Sequence, residues 1–397
     1  MTNTVPSNQT EVRMPDSALD GESSTSFASL EATPTPRRAC RTSLLARRYA
    51  LELRQETPRR KQAVVLAFSV TVGLAVCVAI LMTAGISASD LFNEFIVETL
   101  GDADNFRAVL FQAAPMVMVG LAAALSFRAK FWNLGLEGQM VWGAIGATAV
   151  ALADAGTPET RLWLMGAAAL VCGALWTVLP LLLRMRLGIS EIISTLMLNY
   201  VAANLLLNLV YGQWKDPRDS FPHSRNFLAA ERLPSIASGY SSAILLAVLF
   251  ALAAWWFLHR SRAGIYVRFV NVNARAAEAM GVPVRNVVAG VVLLSGALAG
   301  FAGFTVTAAQ AGRLTQDFYS GYGFSGILIA FLARNNPIAA SVVALLVAAL
   351  FVTGRSLQVL YQIPFSMVQL IQAILVIVVA ASDFFTRYRL SPVGVAE

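Results

Sequence analysis

The chain has 397 residues, 57% of them hydrophobic and 13% charged, where a soluble domain carries about 25% charged residues. With a mean hydropathy of +0.63, these values exclude a disordered or fibrous chain and argue against a water-soluble globule. The net charge of +7 would suit nucleic acid, but the basic residues stand beside the ends of apolar runs, where they orient helices in a membrane; nucleic acid is set aside as a partner.

In chain order, residues 1–60 read as a disordered cytoplasmic tail. As far as Pro36 the segment is rich in Ser, Thr, Pro and acids and holds too little apolar surface to fold. Between residues 37 and 61 a basic belt is opposed only by Glu52 and Glu56, which suits contact with anionic membrane lipids. A cleaved signal peptide fits poorly, because the first apolar run starts some sixty residues in and has full membrane length.

Residues 61–390 read as one transmembrane domain, followed by a short tail at 391–397. The apolar runs are 64–83, 108–127, 134–153, 162–183, 189–211, 241–259, 286–308, 320–333, 337–353 and 366–385. A crossing takes about 20 residues, so the expected fold is all-α and polytopic with about ten spans. The run at 320–333 is short and must be broken, re-entrant or shielded.

Alternate connections carry Arg128 and Lys130, Arg184 and Arg186, the loop 260–285, Arg334, then Arg387 and Arg389. Placing these inside puts both termini in the cytoplasm. Spans 2–5 and 7–10 would then run in opposite directions, as in an inverted repeat. Each half has a Gly-rich polar break after its first helix, NLGLEGQ at 133–139 and SGYGFSG at 320–326. Paired breaks of this kind point towards a substrate path.

No catalytic set is visible. The two histidines, His223 and His259, have no partner motif, and Cys40, Cys77 and Cys172 lack metal-ligand spacing. There is no GxxxxGK[ST] loop. The expectation is a non-enzymatic chain that binds no metal or cofactor, with any driving energy supplied by another subunit.

Polar residues inside apolar runs are therefore the informative ones, because each is costly in lipid unless paired or hydrated. They are Asn133, Glu137 and Gln139 at the start of span 3, then Glu191, Ser194, Thr195, Asn199, Asn204 and Asn208 along span 5. Glu191, Thr195 and Asn199 recur every four residues, and Asn204 follows with a slight drift, so they share roughly one helix face. That face either bonds to a neighbouring helix or borders an aqueous path. Gln310, Gln369 and Gln372 read mainly as structural.

In the loop 260–285, Asn273 can cap a short helix over 274–280 that Gly281 and Pro283 end. Such a helix lies on the membrane face or docks into a partner's groove. Ala276 and Ala277 would allow close approach, and Arg275 and Glu278 supply charge.

Four motifs together carry a family resemblance: FWNLGLEGQ at 131–139, EIISTLMLNYVA at 191–202, NARAAEAMGV at 273–282 and GYGFSGILIAFLARNNP at 321–337. They resemble the inner-membrane permeases of ATP-binding-cassette importers, in the branch serving branched-chain amino acids, simple sugars and nucleosides. The second and fourth are most similar to nucleoside permeases. Ala274 stands where the family usually has Pro, and Ser325 where Asp is common. The resemblance implies a bacterial plasma-membrane subunit working with a second permease, a cytoplasmic ATPase that uses ATP and Mg, and an extracellular binding lipoprotein. It implies a coupling helix made of Asn273, Arg275, Ala276, Ala277, Glu278 and Gly281. The polar set Asn133, Glu137, Gln139, Glu191, Thr195, Asn199 and Asn204, together with Ser325, is expected to border a substrate path, at the subunit interface or through the bundle; the departure from Asp at Ser325 weakens any substrate contact assigned there. The alternative cargo is ribose or another simple sugar; an ion-coupled secondary transporter, with Glu137 or Glu191 as its carboxylate, is the other class.

Overall fold

The computed structural model describes residues 49–53, 59–83, 85–236, 239–319 and 321–364, scattered positions from 366 to 382, and 388–392. The expected tails at 1–60 and 391–397 lie almost wholly outside these residues. The described helices fall within the unit Leu51–Ser391.

The fold is helical. In order come α1 (Arg59–Thr83), α2 (Ala88–Phe92), a π-helical stretch Asn93–Gly101, α3 (Ala103–Arg128), α4 (Leu136–Leu152), α5 (Pro158–Leu187) and α6 (Glu191–Tyr211). Then follow α7 (Ala243–Arg260), α8 (Arg262–Val272), α9 (Ala274–Ala279), α10 (Val284–Thr305) with a π-helical end Val306–Ala311, α11 (Tyr322–Leu332) and α12 (Pro337–Tyr361). The described strands are short, and Ser235–Ile236 pairs antiparallel with Tyr240–Ser241.

Among the described residues, six helices are long and apolar enough to cross a membrane unaided: α3, α5, α6, α7, α12 and α10 with its π-helical end. That is fewer than the ten expected runs. The run at 134–153 becomes α4, of 17 residues, and the run at 320–333 becomes α11, of 11 residues. The apolar part of α1 is also short, and the last run is described only in pieces.

The core centres on α3, whose side chains are buried without interruption from Gln112 to Phe127. A helix enclosed on every side needs small residues to let neighbours close in, and GLAAALS at 120–126 supplies them. Packing exchanges between the halves. α3 lies against α11 and α12, α10 lies against α4 and α5, and α3 and α10 meet each other. Gly120 of α3 faces Ile329 of α11, as Gly303 of α10 faces Met140 of α4. The spacing from Gly120 to Gly143 equals that from Gly303 to Gly326, and Gly143 touches α10 as Gly326 touches α3. This is the exchange an internal two-fold requires.

The connection 212–242 is irregular and is held by charge. Glu231 is wholly buried and pairs with Arg161 (2.9 Å) and Arg225 (3.1 Å), while Arg161 also binds Asp154 (2.7 Å). Burial alone would raise the Glu231 pKa, but the Arg225 and Arg161 guanidinium groups and the Leu228 N–H outweigh it and hold the carboxyl below its usual range. Because the folded value is depressed, the stabilisation is present above the unfolded value, about 4.3, and is lost as pH falls through the folded one. Melting temperature is therefore expected to drop below about pH 4 in the wild type. In Glu231→Gln, which is weaker from the start, that step should be smaller; an identical acid profile in both would contradict the assignment.

Candidate functional site

After α3 the chain does not leave the bundle. Ala129 and Phe131 are buried, Lys130 takes a left-handed turn (φ 59°), and residues 129–135 lead to α4. Irregular backbone among apolar helices must find internal partners, and the predicted polar residues provide them. Asn133 and Gln139, both fully buried, exchange amide hydrogen bonds of 3.0 and 2.9 Å. Asn133 also donates to Ser295 of α10 (3.3 Å) and accepts from the Gly135 N–H (3.1 Å).

Helix α4 begins at Gly135, which has no side chain to cap it. The cap comes from α6 instead. Asn199 accepts from the Gly138 N–H in the first turn of α4 (2.9 Å) and donates to the Leu134 carbonyl (2.9 Å). The hydroxyl of Thr195 accepts from the Leu134 N–H (3.2 Å). These satisfy groups that a helix start otherwise leaves open.

The second break arrives at the same place. Gly321, in a left-handed conformation (φ 84°), opens α11. The Glu137 carboxylate is aimed at the backbone N–H groups of Gly321, Gly323 and Phe324. Gly323 is glycine by necessity, because a methyl there would overlap the Glu137 side chain. One carboxylate thus lies in the first turn of α4 and at the start of α11, where both helix dipoles favour negative charge. Its Oε1 is buried and has no hydrogen-bond partner among the described residues. Nearby, Tyr322 accepts from Gln112 (2.9 Å) and donates to Gln310 (2.9 Å), whose amide donates to the Phe111 carbonyl (3.0 Å).

Of the other predicted residues, Glu191 and Asn204 lie apart from this meeting point, whereas Ser325 sits beside it in α11. Glu191 pairs with Arg184 (3.2 Å) at the α5–α6 junction. The Ser325 hydroxyl is turned back onto the Gly321 carbonyl (2.6 Å). Asn204 is exposed and, among the described residues, bonds its own helix at the Tyr200 carbonyl (2.8 Å). The stripe on α6 therefore divides into an inward pair, Thr195 and Asn199, and an outward pair, Asn204 and Asn208. Gln112, Tyr322 and Ser295 were absent from the sequence expectation, although Gln112 is a lone polar residue inside an apolar run, which is itself a signal.

The loop 260–285 is helical rather than open. Ser261 accepts from the Gly264 N–H (2.9 Å) and starts α8. Asn273 then accepts from the Arg275 and Ala276 N–H groups (3.1 and 3.2 Å) to start α9, and Gly281 leaves it at φ 83°. Arg275, Ala276 and Glu278 are exposed. Ala277 is fully buried against Val270 and Val282, so it anchors α9 to the body and does not face outward as the sequence suggested. Among the described residues no His, Cys, Asp or Glu cluster could hold a metal. Cys77 and Cys172 are free, and Cys40 lies outside the described residues.

Residues 105–380 match the family described as branched-chain amino acid transport system / permease component. The glucose ABC transporter permease protein TsgB13 of Haloferax volcanii is 34% identical, over 86% of this chain and 94% of its own. The guanosine ABC transporter permease protein NupP of Bacillus subtilis is 28% identical, over 82% of this chain and 94% of its own. The nucleoside ABC transporter permease protein NupC of Lactococcus lactis is 28% identical, over 69% and 90%. With its broken helices meeting inside a membrane bundle, the chain belongs to the family of branched-chain amino acid-type ABC transport permease components.

Proposed function

We propose that this chain is the membrane-spanning permease subunit of a nucleoside importer, moving its cargo along the outward face of α6 at the junction with a second permease. One observation carries the reading. Tyr200, Asn204, Asn208 and Tyr211 are all exposed on α6, a helix apolar enough to span a membrane. Amides left in lipid cost energy, so this face is suited to water, cargo and a partner subunit. Asn amides can read both donor and acceptor edges of a base, and tyrosine rings can stack on it. In this reading Asn133, Gln139, Thr195 and Asn199 hold the break in place, and Glu137 ties the start of α4 to the start of α11.

Energy enters through α9. The helix is exposed, self-capped and framed by apolar Val272 and Met280, both largely exposed, a surface fit for a groove on a cytoplasmic ATPase that uses ATP and Mg. The basic connections favour both termini on that same side of the plasma membrane, and a binding lipoprotein would deliver cargo from the other. A sugar cargo is the second reading, favoured by the 34% identity to the glucose permease.

Asn204→Leu combined with Asn208→Leu is expected to lower uptake of labelled guanosine at least ~10-fold, equivalent to about 1.4 kcal/mol, with an unchanged amount of protein in the membrane. Wild-type uptake by this double variant would show that the path runs elsewhere.

A further inference from the structure

The turn that starts α11 also borders a cavity of about 630 Å³, within the range of small-molecule sites, about 300–1,000 Å³. Its wall includes Gln310, Asp317, Phe318, Tyr322, Arg355 and Gln369. Arg355 lies towards the C-terminal end of α12, beyond the apolar run 337–353, and is exposed at the mouth of the cavity, as is Asp317. Neither Arg355 nor Asp317 has a hydrogen-bond or ion-pair partner among the described residues. The mouth of the cavity therefore offers one uncommitted cation and one uncommitted anion.

The remaining wall is fixed in advance. Gln310 sits in the π-helical end of α10, an irregularity frequent at functional sites. Its amide is tied to Tyr322 and to the Phe111 carbonyl, and Tyr322 stacks on Phe351 at 6.5 Å. Phe318 is buried and held edge-on by Tyr319. A rigid aromatic and amide wall loses little entropy when a ligand arrives.

We propose that this cavity binds one nucleoside inside the single permease subunit, separately from the α6 face. Asp317 accepts from the paired sugar hydroxyls. Arg355 and Gln369 donate to the carbonyl and ring-nitrogen acceptors of the base, and Phe318 provides the apolar surface against it. Opposite charges on one wall suit a neutral ligand with many donors and acceptors better than an ion of either sign. The identity of the ligand rests on the nucleoside reading; the existence of a site in this subunit rests on the cavity.

The test is equilibrium binding of tritiated guanosine to the full chain in lipid nanodiscs, beside uptake by the complete transporter. Saturable binding is expected in the wild type, with Kd raised at least ~10-fold in Arg355→Gln, in Asp317→Asn and in Gln369→Leu, and melting temperature as in the wild type. Gln369 is exposed at the cavity edge, so its variant stays informative if a charge change impairs folding. Unchanged Kd in the three cavity variants, with guanosine uptake intact, would overturn the cavity site and leave the transport reading standing. Displacement of guanosine by leucine would overturn it in favour of a zwitterion site. Absence of both binding and uptake of guanosine would remove the nucleoside reading and this site together.

Discussion

Gly143→Val is expected to lower both the amount of folded permease in the membrane and its melting temperature. Gly143 of α4 lies directly on the backbone of Gly300 in α10, and a Cβ there would overlap backbone atoms that have no rotamer to escape into. Gly173 of α5 meets Gly296 and Gly300 of the same helix in the same way, so α4, α5 and α10 share one close contact built from small residues. Overpacking typically costs about 1–3 kcal/mol, and a clash with backbone belongs at the upper end. Against a total stability of about 5–15 kcal/mol, with the break at Asn133 hung on the same helices, that loss should spread to the whole bundle. Gly290→Ala is the control. It lies in the same α10, yet nothing stands within 4 Å of its added methyl, so only helix propensity changes, by up to about 1 kcal/mol in favour of Ala. Size-exclusion profiles of fluorescent fusions, with thermal melts of what survives, would compare the two. Equal melting temperatures for Gly143→Val and wild type would contradict the packing.

Ala276→Arg is expected to stop ATP-driven uptake, by more than ~10-fold, while the chain remains folded in the membrane. Ala276 is on the outward side of α9, beside exposed Arg275 and Glu278, so a long cation there meets only what docks against the helix. Ala277→Arg should also fail, but by another route. Its side chain is enclosed by Val270 and Val282, and a buried unpaired guanidinium would lift α9 away from α8 and α10. Gly281→Val would act through the backbone, since a β-branched residue resists φ 83°. The readouts are co-purification of the ATPase and cargo-stimulated hydrolysis in liposomes. Normal assembly and uptake in Ala276→Arg would move the docking surface elsewhere, for instance to the turn around Arg334 and Asn336.

How much of this was legible depended on distance along the chain. Asn273 and Gly281 mark α9 by local capping chemistry, so its ends could be read within a residue or so. The two breaks were also visible, as Gly-rich polar interruptions in otherwise apolar runs. Their meeting was not, because the contact between Glu137 and Gly323 joins residues far apart in the chain and follows from how the halves pack. The α6 stripe was misread for a geometric reason. A step of four residues turns a helix by about 40°, but the step of five from Asn199 to Asn204 turns it by about 140°, which sends one pair into the bundle and the other outward. Ala277 was misplaced because a small residue suits an inward packing site and an outward docking site equally well. Helix α8 went unread because Arg262 and Arg268 dilute its apolar pattern, and the Ser261 cap was overlooked.

The most direct test is uptake into proteoliposomes holding the full transporter, with labelled guanosine and labelled glucose supplied in parallel and ATP sealed inside. The expected result is guanosine accumulation that requires ATP and stops with vanadate, with little uptake of glucose. Accumulation of glucose alone would contradict the nucleoside assignment, and guanosine uptake driven by a proton or sodium gradient without the ATPase would contradict the mechanism.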